Sequence, residues 1–208
     1  MRKFSNRYML LYALGLAAVV ALTLTVVATS LKERQTRNQQ AETMQMILKT
    51  IGIEATRDNA ETLYSENIEE TTTASGLPLF RYNSGVIIPM NGNGLWGPIW
   101  GYMAIGDDGS VVGVVFDHQG ETPGLGAEIA TDKFAQRFIG KQMTERPIVL
   151  KKNADKDNPY EVDAISGGTM TSNGVTEMLA KAFEQYGDEI PKVELSEAVS
   201  KIEMEEEQ

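Results

Sequence analysis

The chain has 208 residues, a single histidine (His118), no cysteine and a net charge of −10, which leaves room for one compact domain plus an anchor. Iron–sulfur ligation, disulfides, a histidine-rich metal site and a haem held by two histidines are excluded, so redox chemistry here requires an organic cofactor or a partner, and no metal is expected. The charge is uneven: residues 1–37 carry six Lys/Arg and one acid, the remainder 13 and 28, and an acidic remainder argues against nucleic-acid binding.

Tyr8 to Leu31 contains no charged residue, a length that at about 1.5 Å per residue exceeds the roughly 30 Å hydrocarbon core of a bilayer. The competing reading is a cleaved signal peptide, but its apolar core usually runs only about 7–15 residues. A retained transmembrane helix in contact with lipid is therefore expected. Arg2, Lys3 and Arg7 favour a cytoplasmic N-terminus, against a weaker opposing bias from Lys32, Arg34 and Arg37. The C-terminal domain is accordingly expected on the external side of a bacterial inner membrane.

Lys32 to Gln40 reads as a polar continuation of that helix. Met44, Ile47, Leu48 and Ile51 fall at helical spacing, with Gly52 as a stop, and a short helix is expected around Asn59 to Ser65. Glu69 to Ser75, polar and Thr-rich, reads as a loop. Strands are predicted at Leu79–Tyr82, Val86–Ile88, Ile99–Ile105 and Val111–Phe116, the last two joined by an Asp-Gly hairpin at Asp108-Gly109. Thr131 is placed to cap a short helix ending at Gly140. Pro147–Lys151 and Tyr160–Ile165 read as strands around a charged turn. Val175, Met178, Leu179, Ala182, Phe183 and Tyr186 form the apolar stripe of a final helix, and the acidic tail reads as solvated. The expected class is α+β: a transmembrane helix (8–31) after a short N-terminus (1–7), a juxtamembrane helical region (32–75), a mixed or antiparallel sheet domain with flanking helices (76–192) and a tail (193–208).

The chemistry concentrates in three segments. Between the last strand and helix lies Asp163-x-x-Ser166-Gly167-Gly168-Thr169-x-Thr171-Ser172. Thr171, Ser172 or Asn173 can cap the helix, and a helix N-terminus behind a small-residue turn suits a phosphate. The same pattern is also that of an ordinary capped turn. It is not a P-loop, since no lysine follows the glycines. The second segment, residues 92–102, carries both tryptophans, with Leu95 and Trp96 placed to flank an aromatic ring system and Trp100 suited to a core strand. The third, residues 118–126, is a shaped Gly/Pro loop in which Glu121 and Thr122 can orient a ligand by hydrogen bonds. His118 reads as a hydrogen-bonded residue at a strand end, and no catalytic residue is assigned.

The 163–172 pattern resembles the flavinylation motif D-x-x-S-G-A-T-x-[ST] of the FMN-binding domain family, with Gly168 in place of the usual alanine. Together with Gly-Leu-Trp-Gly-Pro at 94–98 and His-x-x-Glu-Thr-Pro-Gly-Leu-Gly at 118–126, it is similar to the C subunit of the sodium-translocating NADH:quinone reductase. The G subunit of Rnf complexes is the nearest alternative. The resemblance implies FMN joined to Thr169 by a phosphoester, loaded from FAD by a dedicated flavin transferase. It also implies electron transfer between partner subunits of a membrane respiratory complex. The cofactor-contacting set it implies is Asp163, Ser166, Gly167, Gly168, Thr171 and Ser172, with Leu95, Trp96, Glu121, Thr122, Gly124, Leu125 and Gly126. A rival of another class is a membrane-tethered binding module without cofactor.

Overall fold

The computed structural model describes residues 5–191; the acidic tail and the first four residues lie outside them. The described chain forms two compact units, one ending at Thr43 and the other beginning at Met44.

The first unit is most of helix α1 (Asn6–Thr50), whose most apolar 18-residue window has a mean hydropathy of 2.4, long and apolar enough to cross a membrane. Its polar hydroxyls are satisfied within the helix: Thr23, Thr25 and Thr29 each donate to the carbonyl four residues back, at 2.7–2.8 Å. That is what a hydroxyl requires in a medium that offers no water.

The second unit is α+β. Five antiparallel strands run in sequence order: β1 (Glu69–Thr72), β2 (Pro78–Tyr82), β3 (Gly85–Asn93), β4 (Pro98–Gly106) and β5 (Val111–His118). The Asp107–Gly109 hairpin forms as expected, with Gly109 at φ +73°. Residues 69–72 depart from the loop expectation. They pair with β2 as an edge strand, where backbone bonds and β-branched threonines suffice and no buried face is needed to reveal the strand in sequence. A separate parallel pair, β6 (Val149–Lys151) and β7 (Glu161–Asp163), makes the fold mixed.

Alternation gives the sheet two covered faces. Ile87 and Ala104 turn toward Ile47 and Leu48 at the end of α1 and Tyr64 of α2 (Ala60–Asn67). Val86, Ile88, Met90, Met103 and Ile105 face the main core, where α4 (Thr169–Tyr186) inserts Val175, Met178, Leu179, Ala182 and Tyr186, as the stripe predicts. Phe116, Phe134 and Phe138 pack ring against ring beside them, Phe134 and Phe138 edge-on and Phe116 tilted against both, around the short α3 (Asp132–Ala135) that Thr131 caps.

Helix α4 lies unusually close to the end of β3. A Cβ on Gly174 would collide with the Asn93 carbonyl, and one on Gly92 would meet the Met178 side chain at 2.9 Å. Alanine at 174 gains about 1 kcal/mol of helix propensity but forces the helix off a backbone carbonyl, a strain of about 1–3 kcal/mol. The strain wins. Gly174→Ala is therefore expected to lower the melting temperature by a few degrees, measured by thermal unfolding.

Candidate cofactor site

Chain geometry delivers Thr169 to the surface as the first residue of an 18-residue helix. Gly167 turns the chain at φ +78°, and a side chain there would press on Leu125. Gly168 is the N-cap, at φ −114°, with no side-chain cap. The extra backbone freedom of glycine is thus not used at 168. What its small size provides is room against Ile165, which an alanine Cβ would approach to 3.0 Å.

The capping expectation fails in an informative way. The helix starts three or more residues earlier than a cap at 171–173 requires, and the hydroxyls of Thr171 and Ser172 turn inward. Ser172 Oγ accepts from the Ile165 N–H at 3.0 Å, tying the turn to its own helix. The Thr171 hydroxyl donates to Glu121 Oε2 at 2.6 Å. The first N–H to find a helical acceptor is that of Ser172, bonded to the Gly168 carbonyl at 2.9 Å. The N–H groups of Thr169, Met170 and Thr171 precede it and have no acceptor inside the helix, which leaves an exposed positive dipole end beside the Thr169 hydroxyl.

Glu121 joins the second and third segments to this helix. The residue is 5% exposed. Oε1 accepts the Trp96 N–H at 2.8 Å while Oε2 takes the Thr171 hydroxyl. Glycines make the space: a Cβ on Gly94 or on Gly126 would overlap the carboxylate. Burial alone pushes the Glu121 carboxyl pKa up. The Thr171 hydroxyl, the N–H groups of Trp96 and Leu95 and the neighbouring His118 together outweigh burial and hold it below the ordinary glutamate value. The loop beyond is a tight turn, with the Thr122 carbonyl accepting from the N–H groups of Leu125 and Ala127.

The structure brings Thr169, Gly167, Gly168, Thr171, Ser172, Glu121, Gly126 and the Trp96 backbone into one connected cluster. Leu95 (50%), Trp96 (69%) and Leu125 (42%) keep their side chains exposed. Ser166, Thr122 and Gly124 are exposed on the same loops. Asp163 is not drawn in by any hydrogen bond: its carboxylate accepts the Ala154 N–H at 2.9 Å, and it lines a surface cleft with Arg137, Lys141 and Glu161. His118 ends β5 as expected and its N–H donates to Asp117 Oδ1 at 2.7 Å, while its ring Nδ1 is buried without a hydrogen-bond partner. Trp100 is half-buried on β4.

Two residues escaped the sequence reading. Met170, 59% exposed, adds a fourth apolar side chain beside Thr169; its signal was an apolar residue off the stripe of α4. Arg137 donates to the carbonyls of Asp163 and Ala164, at 2.8 and 3.4 Å, and steadies the strand end that leads into the turn. A lone arginine outside the motif gives no sequence signal for that.

The chain is similar to known proteins in sequence and fold. Residues 94–184 match the FMN-binding domain family. The crystal structure of the C subunit of Na(+)-translocating NADH-quinone reductase from Parabacteroides distasonis superposes with a TM-score of 0.68 at 32% identity, covering 75% of this chain and 94% of that one. The chain belongs to the family of that C subunit. NqrC from Shewanella oneidensis shares the fold, with a TM-score of 0.60 at 19% identity. The C subunit from Neisseria meningitidis is 40% identical over 107 residues, which span 49% of this chain and only 42% of that protein. The one from Vibrio parahaemolyticus is 27% identical over 78% of this chain and 84% of that one.

The lowered Glu121 pKa fixes a sign. A carboxyl more acidic in the folded than in the unfolded chain adds stability that is complete above the unfolded value and fades as pH falls through the folded one. Denaturant unfolding is therefore expected to show wild type losing stability more steeply than Glu121→Gln from about pH 5 downward. Equal slopes would show that folding does not lower the Glu121 carboxyl pKa.

Proposed function

We propose that the chain is an electron-transfer subunit of a membrane NADH:quinone reductase that translocates sodium, with FMN held covalently on Thr169 through a phosphoester. The observation that carries this reading is the exposed Thr169 at the start of α4, beside three N–H groups without helical acceptors, with four exposed apolar side chains on that helix and on the segments Glu121 ties to it. A phosphate suits the first feature and a flat ring the second. The family match supports FMN as the group, and the names of the relatives support the complex.

On this reading the first-turn N–H groups of α4 hold the phosphate, and Gly167 and Gly168 keep side chains out of its way. Leu95, Trp96, Leu125 and Met170 exclude water from the ring. FMN, when bound, supplies the capacity to accept and pass on electrons. The chain brings no base of its own to Thr169: no hydrogen bond to the Thr169 hydroxyl is made by a described histidine or carboxylate. A threonine hydroxyl is a poor nucleophile until deprotonated, so a separate flavin transferase completes the protein. Exposure of Thr169 is what such an enzyme requires. The four exposed apolar side chains favour this reading over a cofactor-free binding module. The names of the relatives favour the quinone reductase over the Rnf alternative. The other subunits are the remaining partners. The apolar half of α1 anchors the chain in the inner membrane, with the domain on the external side.

Protein made with a flavin transferase is expected to stay yellow after denaturation, with a mass above the sequence mass by one FMN less water. Thr169→Ala is expected to abolish attachment at a stability cost on the order of a kcal/mol or less, since the side chain is exposed. Covalent flavin surviving in Thr169→Ala would move the site to Ser166, the neighbouring exposed hydroxyl. For the anchor, alkaline carbonate extraction is expected to leave the protein in the pellet, and protease added to spheroplasts to digest the domain. A protected domain would reverse the orientation.

A further inference from the structure

We infer that Glu121 is a positioning residue rather than a flavin ligand: it fixes the Leu95–Trp96 loop to the N-terminus of α4, so that the apolar platform beside Thr169 stands ready before any cofactor arrives. This rests on the reading of Thr169 as the flavin-bearing residue.

Both carboxylate oxygens are already engaged by the protein. Oε1 receives the Trp96 N–H at 2.8 Å and Oε2 the Thr171 hydroxyl at 2.6 Å. At 5% exposure the group is not offered to a ligand on the surface. What it holds is backbone on one side and helix on the other. Trp96 is fixed through its N–H while its indole stays 69% exposed. The loop thereby has a defined position and its ring remains free to lie against a partner. A charged acceptor suits this task, because bonds to an ionised oxygen are shorter and about twice as strong as neutral ones. Gly94 and Gly126 close over the carboxylate, and a Cβ on either would overlap it. Neither has a positive φ, so at these positions the space, and not the backbone conformation, demands glycine. Four separate residues of the Gly-Leu-Trp and Glu-Thr-Pro-Gly segments and of α4 are thus shaped around one buried group. A bridge of this kind lowers the ordering cost that the ring must otherwise meet on docking.

The test uses the full chain in detergent and two readouts. The first needs no flavin: hydrogen exchange of the peptide containing the Leu95 and Trp96 N–H groups. Thr171→Val removes the hydroxyl but keeps the branched shape, and is expected to speed that exchange roughly ten-fold or more while β2 and β6 exchange as before. Thr171→Ser, which restores the hydroxyl, is expected to restore protection. Gly126→Ala pushes on the carboxylate from the other side and is expected to act like Thr171→Val, which keeps the test open should either variant fold poorly. The second readout is the rate of covalent flavin loading by a transferase, expected to fall roughly ten-fold in Thr171→Val and Gly126→Ala and to recover in Thr171→Ser. Unchanged exchange and loading in both disruptive variants would overturn the inference and leave Thr169 in place. Wild type that takes no flavin would overturn the Thr169 reading, while the exchange result would still decide whether Glu121 fixes the loop.

Discussion

The close seating of α4 on the end of β3 is the constraint from which the rest of the site follows. Gly174 rides on the Asn93 carbonyl, and Gly92 makes room for Met178. With larger side chains the helix would stand off, and its first turn would no longer lie against the loop that begins one residue after β3. Seated as it is, the helix brings Thr171 within hydrogen-bond reach of Glu121 and carries Thr169 outward at the same time. Residues 169 and 171 sit about 200° apart around a helix. A single placement therefore gives one threonine to the interior and the other to solvent.

The buried charge at this junction calls for a physical justification, because burying a carboxylate costs several kcal/mol unless it is well bonded. Here the bonding is ample: a hydroxyl and two backbone N–H groups, with nearby His118 adding an electrostatic contribution. The depressed pKa says that these interactions exceed the burial cost. A neutral side chain of the same size would lose that surplus. An apolar one would leave the Trp96 N–H without an acceptor in a half-buried loop, which costs about 1–3 kcal/mol. The bridge also explains two of the glycines in these loops: Gly94 and Gly126 are small because they enclose a carboxylate, whereas Gly120 and Gly124 hold positive φ.

Much of this was legible in the sequence and some was not, for reasons that differ by residue. The sheet strands β2 to β5 announced themselves as short apolar runs, two of them joined by the Asp-Gly turn, and α4 by its stripe, since each buries apolar side chains. Strand β1 has no such face. Glu69–Thr72 is held by backbone pairing, to which periodicity is blind. Capping at α4 misled because Thr, Ser and Asn at a helix start satisfy local N–H groups in most proteins, whereas Thr171 and Ser172 are taken by more distant partners. The role of Glu121 was half legible. Its segment stood out, but nothing local reveals that a polar residue in a Gly/Pro loop is buried with both oxygens in use, since its partners lie 25 and 50 residues away.

The surface around Thr169 is apolar and open. Leu95, Trp96, Leu125 and Met170, on α4 and on the segments that Glu121 ties to it, are each 42–69% exposed, and exposed apolar side chains gathered on linked segments suit something that covers them. A noncovalent flavin would have to stay on so open a surface by ring contacts alone. Open sites bury little of a ligand, and drug-sized ligands in good pockets bury most of theirs. An ester to Thr169 removes that difficulty: the cofactor cannot leave, and the surface can stay open enough for electrons to reach it from a partner on either side. On the proposed reading, then, the shallow site and the covalent bond are two aspects of one design. The chain gives up the enclosure that would hold a free flavin, and the bond supplies the retention that enclosure would otherwise provide.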